Sequence, residues 1–294
     1  MEIFGIPIQA MMGQLLIGLI NGSFYALLSL GLAVIFGLLN IINFAHGAQY
    51  MLGAFGAYLL LNKLGLNYWW ALIIVPLVVG ATGVLIERTM LARLYKLDHL
   101  YGLLLTFGLA LIIQGLFRNE YGSTGLPYAM PTQLQGGANL GFMFLPIYRG
   151  WVIIASLVVC LGTWFVIERT RLGGYLRAAT ENPQLVQAFG INVPRMITLT
   201  YGFGVALAAL AGVMAAPIYQ VSPQMGADLI IVVFAVVVIG GMGSIMGAIV
   251  TGFGLGLIEG LTKVFYPEAS TTVIFIIMTI VLLIRPAGLF GTQK

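Results

Sequence analysis

Apolar residues fall along this chain in long runs divided by short polar breaks. Nine runs stand out: Met11–Leu38, Ile42–Leu61, Tyr68–Ile86, Tyr101–Phe117, Gly150–Ile167, Met196–Tyr219, Asp228–Gly241, Ile245–Leu261 and Thr271–Ile284. A bilayer's hydrocarbon core is about 30 Å thick, so roughly 20 mostly apolar residues in a helix span it. The pattern predicts an all-α, polytopic transmembrane helical bundle of about eight to nine spanning helices, one membrane domain over residues 1–294. Only Gly241-Met242-Gly243-Ser244 divides the seventh run from the eighth. The stretch Gly240–Ala248 therefore reads either as a join between two spans or as a broken or re-entrant piece.

The polar breaks set an orientation. Arg88, Arg93 and Lys96 follow the third run, Arg169, Arg171, Arg177 and Arg195 follow the fifth, and Arg285 and Lys294 lie in the tail. Nine alternating spans place these three breaks on one side, which the positive-inside bias makes the cytoplasm. The N-terminus is then outside and the C-terminus inside. Two loops are long: an external one over residues 118–149, rich in Gly, Pro and Tyr, and a polar cytoplasmic one over residues 172–195.

Composition removes the soluble alternative. Of 294 residues, 60% are hydrophobic and 7% charged, against about 25% charged in soluble domains. Lipid must cover most of the outside. The net charge of +4 fits the loop bias and gives no reason to expect nucleic acid. The single cysteine, Cys160, excludes an internal disulfide and reads as a small buried hydrophobe. Residues Met1–Gln9 hold Glu2 but no Lys or Arg. The basic start of a cleaved signal peptide is thus missing, and the first apolar run is expected to stay as a helix.

Four features could carry chemistry. In the cytoplasmic loop, Gly173-Gly174 is expected to break the preceding helix and Tyr175–Thr180 to form a short one. Asn182 and Pro183 suit the N-cap and first position of another, with Gly190 closing it. Leu185, Ala188 and Phe189 then share an apolar face, which docks on its own bundle or on another protein. Second, Asn40, Asn43, His46 and Gln49 recur every three residues and are expected on one helical face, bonding between helices or meeting a solute. Asn21, Ser23 and Tyr25 are a weaker group of the same kind. Third, Gly240–Ala248 with Gly252, Gly254 and Gly256 permits close helix packing or a broken helix. No Ser or Thr follows a lysine anywhere, so there is no nucleotide P-loop. Fourth, Glu259 stands alone in an apolar run, either as a functional carboxylate within the membrane or as the partner of Lys263, four residues on, near the external surface. No nucleophile–base set and no metal-ligand cluster is visible; neither an enzyme nor a cofactor is expected.

Several blocks resemble the membrane permeases of branched-chain amino acid ABC transporters, the LivH type. They are Asn43-Phe44-Ala45-His46-Gly47 with Met51-Leu52-Gly53-Ala54; Leu176-Arg177-Ala178 with Glu181-Asn182 and Gly190-Ile191-Asn192-Val193; Gly240-Gly241-Met242-Gly243-Ser244 with Gly247-Ala248; and Arg285-Pro286-Ala287-Gly288-Leu289-Phe290-Gly291. They run in the family's order over nearly the whole chain. The resemblance implies an inner-membrane permease subunit that moves branched-chain or related neutral amino acids. It also implies a LivM-type second permease subunit, two cytoplasmic ATPase subunits and a periplasmic substrate-binding protein. ATPase coupling would fall to Tyr175, Leu176, Arg177, Glu181, Asn182, Pro183, Phe189, Gly190 and Ile191. The candidates for the translocation pathway are Asn21, Tyr25, Asn43, His46, Gln49, Gly243 and Ser244. The alternatives are a permease for urea or short amides in the same superfamily, and a stand-alone channel or secondary transporter.

Overall fold

A computed structural model describes residues 2–3, 6–39, 42–95, 97–141 and 143–291. The expectations placed on Asn40, Lys96 and Lys294 lie outside the described residues. Each of the nine apolar runs is a helix, and two short helices fill the polar loop over residues 172–195. In order they are α1 (Ile8–Leu39), α2 (Ala45–Leu64), α3 (Tyr68–Thr89), α4 (His99–Tyr121), α5 (Ile147–Arg169), α6 (Arg171–Glu181), α7 (Pro183–Ala188), α8 (Val193–Ala215), α9 (Met225–Gly240), α10 (Ile245–Phe265) and α11 (Thr272–Ile284). Among the described residues six are long and apolar enough to cross a bilayer: α1, α3, α4, α5, α8 and α10. The apolar α9 and α11 are shorter, and α2 carries buried polar groups near its start.

The bundle is built around α1, which runs beside α10 for most of its length and also meets α8 and α5; α2 and α3 pack on α8. Close approach needs glycine. A Cβ on Gly256 of α10 would stand 2.4 Å from the Gly18 carbonyl oxygen of α1. Leu77, Leu104, Leu111, Ile154 and Val158, on the outer faces of α3, α4 and α5, are exposed as lipid-facing side chains would be.

The glycine stretch after α9 is a tight turn. Gly241 and Gly243 take φ of +100° and +85°, conformations that cost other residues energy. Ser244 then caps α10 by accepting from the Gly247 amide at 3.1 Å. Two separate helices result, so the break in the bundle is elsewhere. It falls between α1 and α2, where the helix begins at Ala45, three residues after the start of the apolar run. The Thr106 hydroxyl of α4 lies 3.3 Å from the Ile42 carbonyl and 3.2 Å from the Phe44 amide. It bonds the non-helical backbone there. Asn43 is consequently not on a helical face with His46 and Gln49, as its spacing suggests; it enters from the linker.

One end of the bundle gathers the C-terminal ends of α1, α3 and α5, the N-terminal end of α8 and the α9–α10 turn. This end carries Arg88, Arg177 and Arg195. The tail after α11 folds over the turn, with the Leu289 and Phe290 amides donating to the carbonyls of Ile239 at 2.8 Å and Gly240 at 3.1 Å. These bonds satisfy carbonyls that the end of α9 leaves open. At the opposite end a two-stranded hairpin, β3 (Gly137–Asn139) and β4 (Phe144–Pro146), sits in the long loop. A bridge between Leu126 and Val221 ties that loop to the α8–α9 link. Near the N-terminus Glu2–Ile3 and Ile6–Pro7 pair as β1 and β2.

Candidate functional site

Polar groups occur inside the bundle at three levels along α1. The outermost lies at a cavity of about 300 Å3 lined by Asn21, Tyr25, Tyr50, Tyr219 and Asp228 among others. Behind it stands Glu259. The Tyr25 hydroxyl donates to Glu259 Oε2 at 2.7 Å, Lys263 Nζ to Oε1 at 2.5 Å and the Asn21 amide to Oε1 at 3.4 Å. Tyr219 donates to Asn21 Oδ1 at 3.0 Å. The expected Glu259–Lys263 pair forms, and it also anchors Asn21 and Tyr25. The carboxylate is almost fully buried while Lys263 reaches toward the surface, a snorkelling arrangement suited to a membrane boundary.

The middle level is the N-terminal end of α2. His46 Nε2 lies 3.0 Å from the Leu28 carbonyl oxygen of α1, and the Asn43 amide donates to Gln49 Oε1 at 3.2 Å. Tyr201 of α8 lies beside Gln49 and Asn43 without meeting either in hydrogen-bond geometry. His46, Asn43, Gln49 and Tyr201 are each no more than 1% exposed. Tyr201 is eight residues into α8, which places this cluster about 12 Å below the basic end of that helix. Asn43 Oδ1, His46 Nδ1, Gln49 Nε2 and the Tyr201 hydroxyl have no hydrogen-bond partner. Such atoms are rare in native interiors.

The inner level is a small cleft of about 110 Å3 where Gly37 of α1 and Gly243 of the turn face Leu176 and Arg177 of α6. Ser244, in the same turn, accepts from the Gly247 amide in its cap and keeps its own O–H to donate. The seven pathway candidates therefore do not form one pocket; they are spread over these levels.

The short helices of the basic end differ in part from expectation. The chain breaks after α5 at Thr170, which is extended (φ −110°, ψ 165°), and not at Gly173-Gly174. Those glycines lie inside the first turn of α6, where a Cβ on Gly173 would stand 1.5 Å from the Ile167 carbonyl oxygen. Glycine here lets α6 double back against the end of α5. Arg177 closes the corner, donating to the Ile167 carbonyl at 3.1 Å and pairing with Glu168 at 3.2 Å. Asn182 caps α7 as expected, accepting from the Leu185 amide at 3.0 Å, with Pro183 in the first turn. Gly190, at φ +83°, ends that segment. Val186, at 7% exposure, turns inward to Ala179 and Val193, with Ile191 packed against them. Leu185 and Phe189 are 54% and 77% exposed. Tyr175 and Glu181 also face outward.

Sequence reasoning missed Tyr201, Thr106, Glu87 and Tyr95. Tyr201 and Thr106 read as ordinary members of apolar runs. Glu87 sits one residue past the end of the third run and was counted with the polar break, yet it is 2% exposed and accepts from the Tyr95 hydroxyl at 2.5 Å. Burial, and then this bond, push the Tyr95 phenol well above its ordinary pKa. The pair borders a cavity of about 730 Å3 that also holds Arg88 and Arg195. Among the described residues no group of His, Cys, Asp and Glu could hold a metal ion.

Comparison with known proteins adds a family. The profile of a family described as branched-chain amino acid transport system / permease component matches residues 14–283. The high-affinity branched-chain amino acid transport system permease protein LivH of Salmonella typhimurium is 30% identical, with 96% of each chain covered. The corresponding permease protein BraD of Pseudomonas aeruginosa is 31% identical at the same coverage. The permease protein LivM of Escherichia coli is 29% identical over 92% of this chain and 68% of its own length. No solved structure matches.

Proposed function

Because this chain belongs to the family of permease components of branched-chain amino acid transport systems, we propose that it is the membrane-spanning subunit of an ABC importer for branched-chain or related neutral amino acids. It is a multi-pass membrane protein and a permease, not an enzyme. The single observation that carries the finer reading is the exposed apolar face of α7, Leu185 and Phe189, at the basic end. A polytopic protein gains nothing by holding Phe189 in water, and an ATPase surface is the partner that a pump without a nucleotide loop requires. Val186 holds α7 on the bundle while Leu185 and Phe189 wait for that partner. Arg177, Asn182 and Gly190 fix the shape of the segment; Tyr175, Leu176, Glu181, Pro183 and Ile191 complete it.

In this reading the basic end is cytoplasmic and the C-terminus lies inside. The cavity at Asn21 and Tyr25 faces the binding protein, the cluster at Asn43, His46 and Gln49 divides the path, and Gly243 lies at the cytoplasmic exit. The likeness to both LivH and LivM fits a pathway built with a second, related permease. The test is reconstitution of the chain with its second permease and two ATPase subunits in vesicles. Leucine uptake that needs both ATP and the binding protein is expected. Uptake by this chain alone down a gradient, or uptake competed by urea and not by leucine, would overturn the proposal.

A further inference from the structure

The free atoms at the start of α2 have a definite chemistry. The Leu28 carbonyl can only accept, so His46 Nε2 carries the proton and donates to it. Nδ1 of the neutral ring is then a lone pair that has the Gln49 side chain beside it but no partner in hydrogen-bond geometry. The bond from Asn43 to Gln49 leaves Asn43 Oδ1 as a free acceptor and Gln49 Nε2 as a free donor. Exchanging N and O in both amides reverses that bond and still leaves one of each. The Tyr201 hydroxyl adds a group of either sense.

A second observation points to a ligand. α2 starts here, part-way through the bundle, and Phe44 caps it with no side-chain hydrogen bond. The Phe44 and His46 amides are taken by Thr106 and the Asn43 carbonyl; the positive end of the helix dipole still favours an anionic group at this place. The same region thus offers bare acceptors for a cation and donors for an anion, with no charged side chain among them.

We propose that this cluster binds the α-ammonium and α-carboxylate of an amino acid in transit. The ammonium donates to Asn43 Oδ1 and His46 Nδ1. The carboxylate accepts from Gln49 Nε2 and the Tyr201 hydroxyl, at the positive end of α2. This rests on the transport reading above and deepens it: the site recognises the zwitterion shared by all amino acids and is indifferent to the side chain. Here it is closed, since a Cβ on Gly31 would stand 2.7 Å from the Gly204 carbonyl and 3.0 Å from the His46 ring. Separation of α1 from α8 opens it.

The test uses the assembled transporter in lipid nanodiscs, with this chain alone carrying 15N-histidine. The chain has two histidines, so His99→Gln assigns the His46 resonances. Leucine is expected to shift Nδ1, and alanine to shift it alike. 4-Methylpentanoate, lacking the ammonium, and isoamylamine, lacking the carboxylate, should not shift it at the same concentration. Gln49→Leu and Tyr201→Phe should each raise the half-saturating leucine concentration about tenfold, the effect of losing one hydrogen bond to a charged group. If Gln49→Leu does not fold, Tyr201→Phe carries the comparison alone. A resonance blind to leucine, or moved equally by all four compounds, shows no recognition of the zwitterion and overturns the proposal. ATP-driven leucine uptake beside a silent resonance sinks this site and keeps the transport reading.

Discussion

Substitution of two glycines on α10 separates packing from helix propensity. A Cβ built on Gly254 meets nothing within 4 Å, whereas one on Gly256 lies 2.4 Å from both the Gly18 carbonyl oxygen and the Gly22 Cα of α1. Contacts between such atoms are comfortable at about 3.5 Å, so Gly256→Ala must part α1 from α10 by about 1 Å. In a helix interior Ala is worth up to about 1 kcal/mol over Gly. Gly254→Ala keeps that gain. Gly256→Ala sets it against about 1–3 kcal/mol of overpacking along the bundle's most extensive helix contact. The two variants should therefore differ by about 1–3 kcal/mol in the same direction. Unfolding in mixed micelles of rising dodecyl sulfate content, followed by tryptophan fluorescence, measures the gap. Equal midpoints for the two variants would refute the claim that these glycines set the α1–α10 distance.

Other outcomes follow from the site. Replacing Leu185 and Phe189 together by Ser should leave stability within about 0.5 kcal/mol, since both side chains are exposed; co-purification with the ATPase subunits should be lost. Gly173→Val places atoms on the Ile167 carbonyl, so the α5–α6 corner cannot form and uptake should fall to background while membrane insertion persists. Glu259→Ala removes the acceptor shared by Tyr25, Asn21 and Lys263 and should destabilise by about 1–3 kcal/mol. Glu259→Gln should recover part of this in a thermal melt.

The helices were legible because lipid imposes its pattern on every span: an apolar run of sufficient length has one stable conformation in a bilayer. The cap at Asn182 was legible too, because it is local; the cap at Ser244 was not read as one, though its signal is equally local. What escaped was long-range. The start of α2 is set by Thr106, more than sixty residues away in sequence, so a spacing of three suggested a helical face that Asn43 never joins. Gly173 looked like a breaker, but its missing side chain serves a contact with α5 that no window around it contains. Glu87 and Tyr201 are buried by elements distant in sequence, and a run-by-run reading places the first in solvent and the second in lipid.

The placement of α1 bears on how a distant push could reach the middle of the membrane. Its 32 residues make a rod about 48 Å long. At its C-terminal end Gly37 shares a cleft with Leu176 and Arg177, next to the segment proposed to meet the ATPase. Near mid-length its Leu28 carbonyl holds His46, with Tyr25 and Asn21 about one and two turns before it. A hydrogen bond weakens steeply with distance and angle, and packed helices shift between discrete arrangements and do not deform smoothly. A shift of α1 driven from α6 would therefore loosen the His46 bond and move the outer cavity's wall in one step. On the proposed transport reading, a single helix touching all three levels would tie the opening of one end to the closing of the other, which is what a pump needs and a channel lacks.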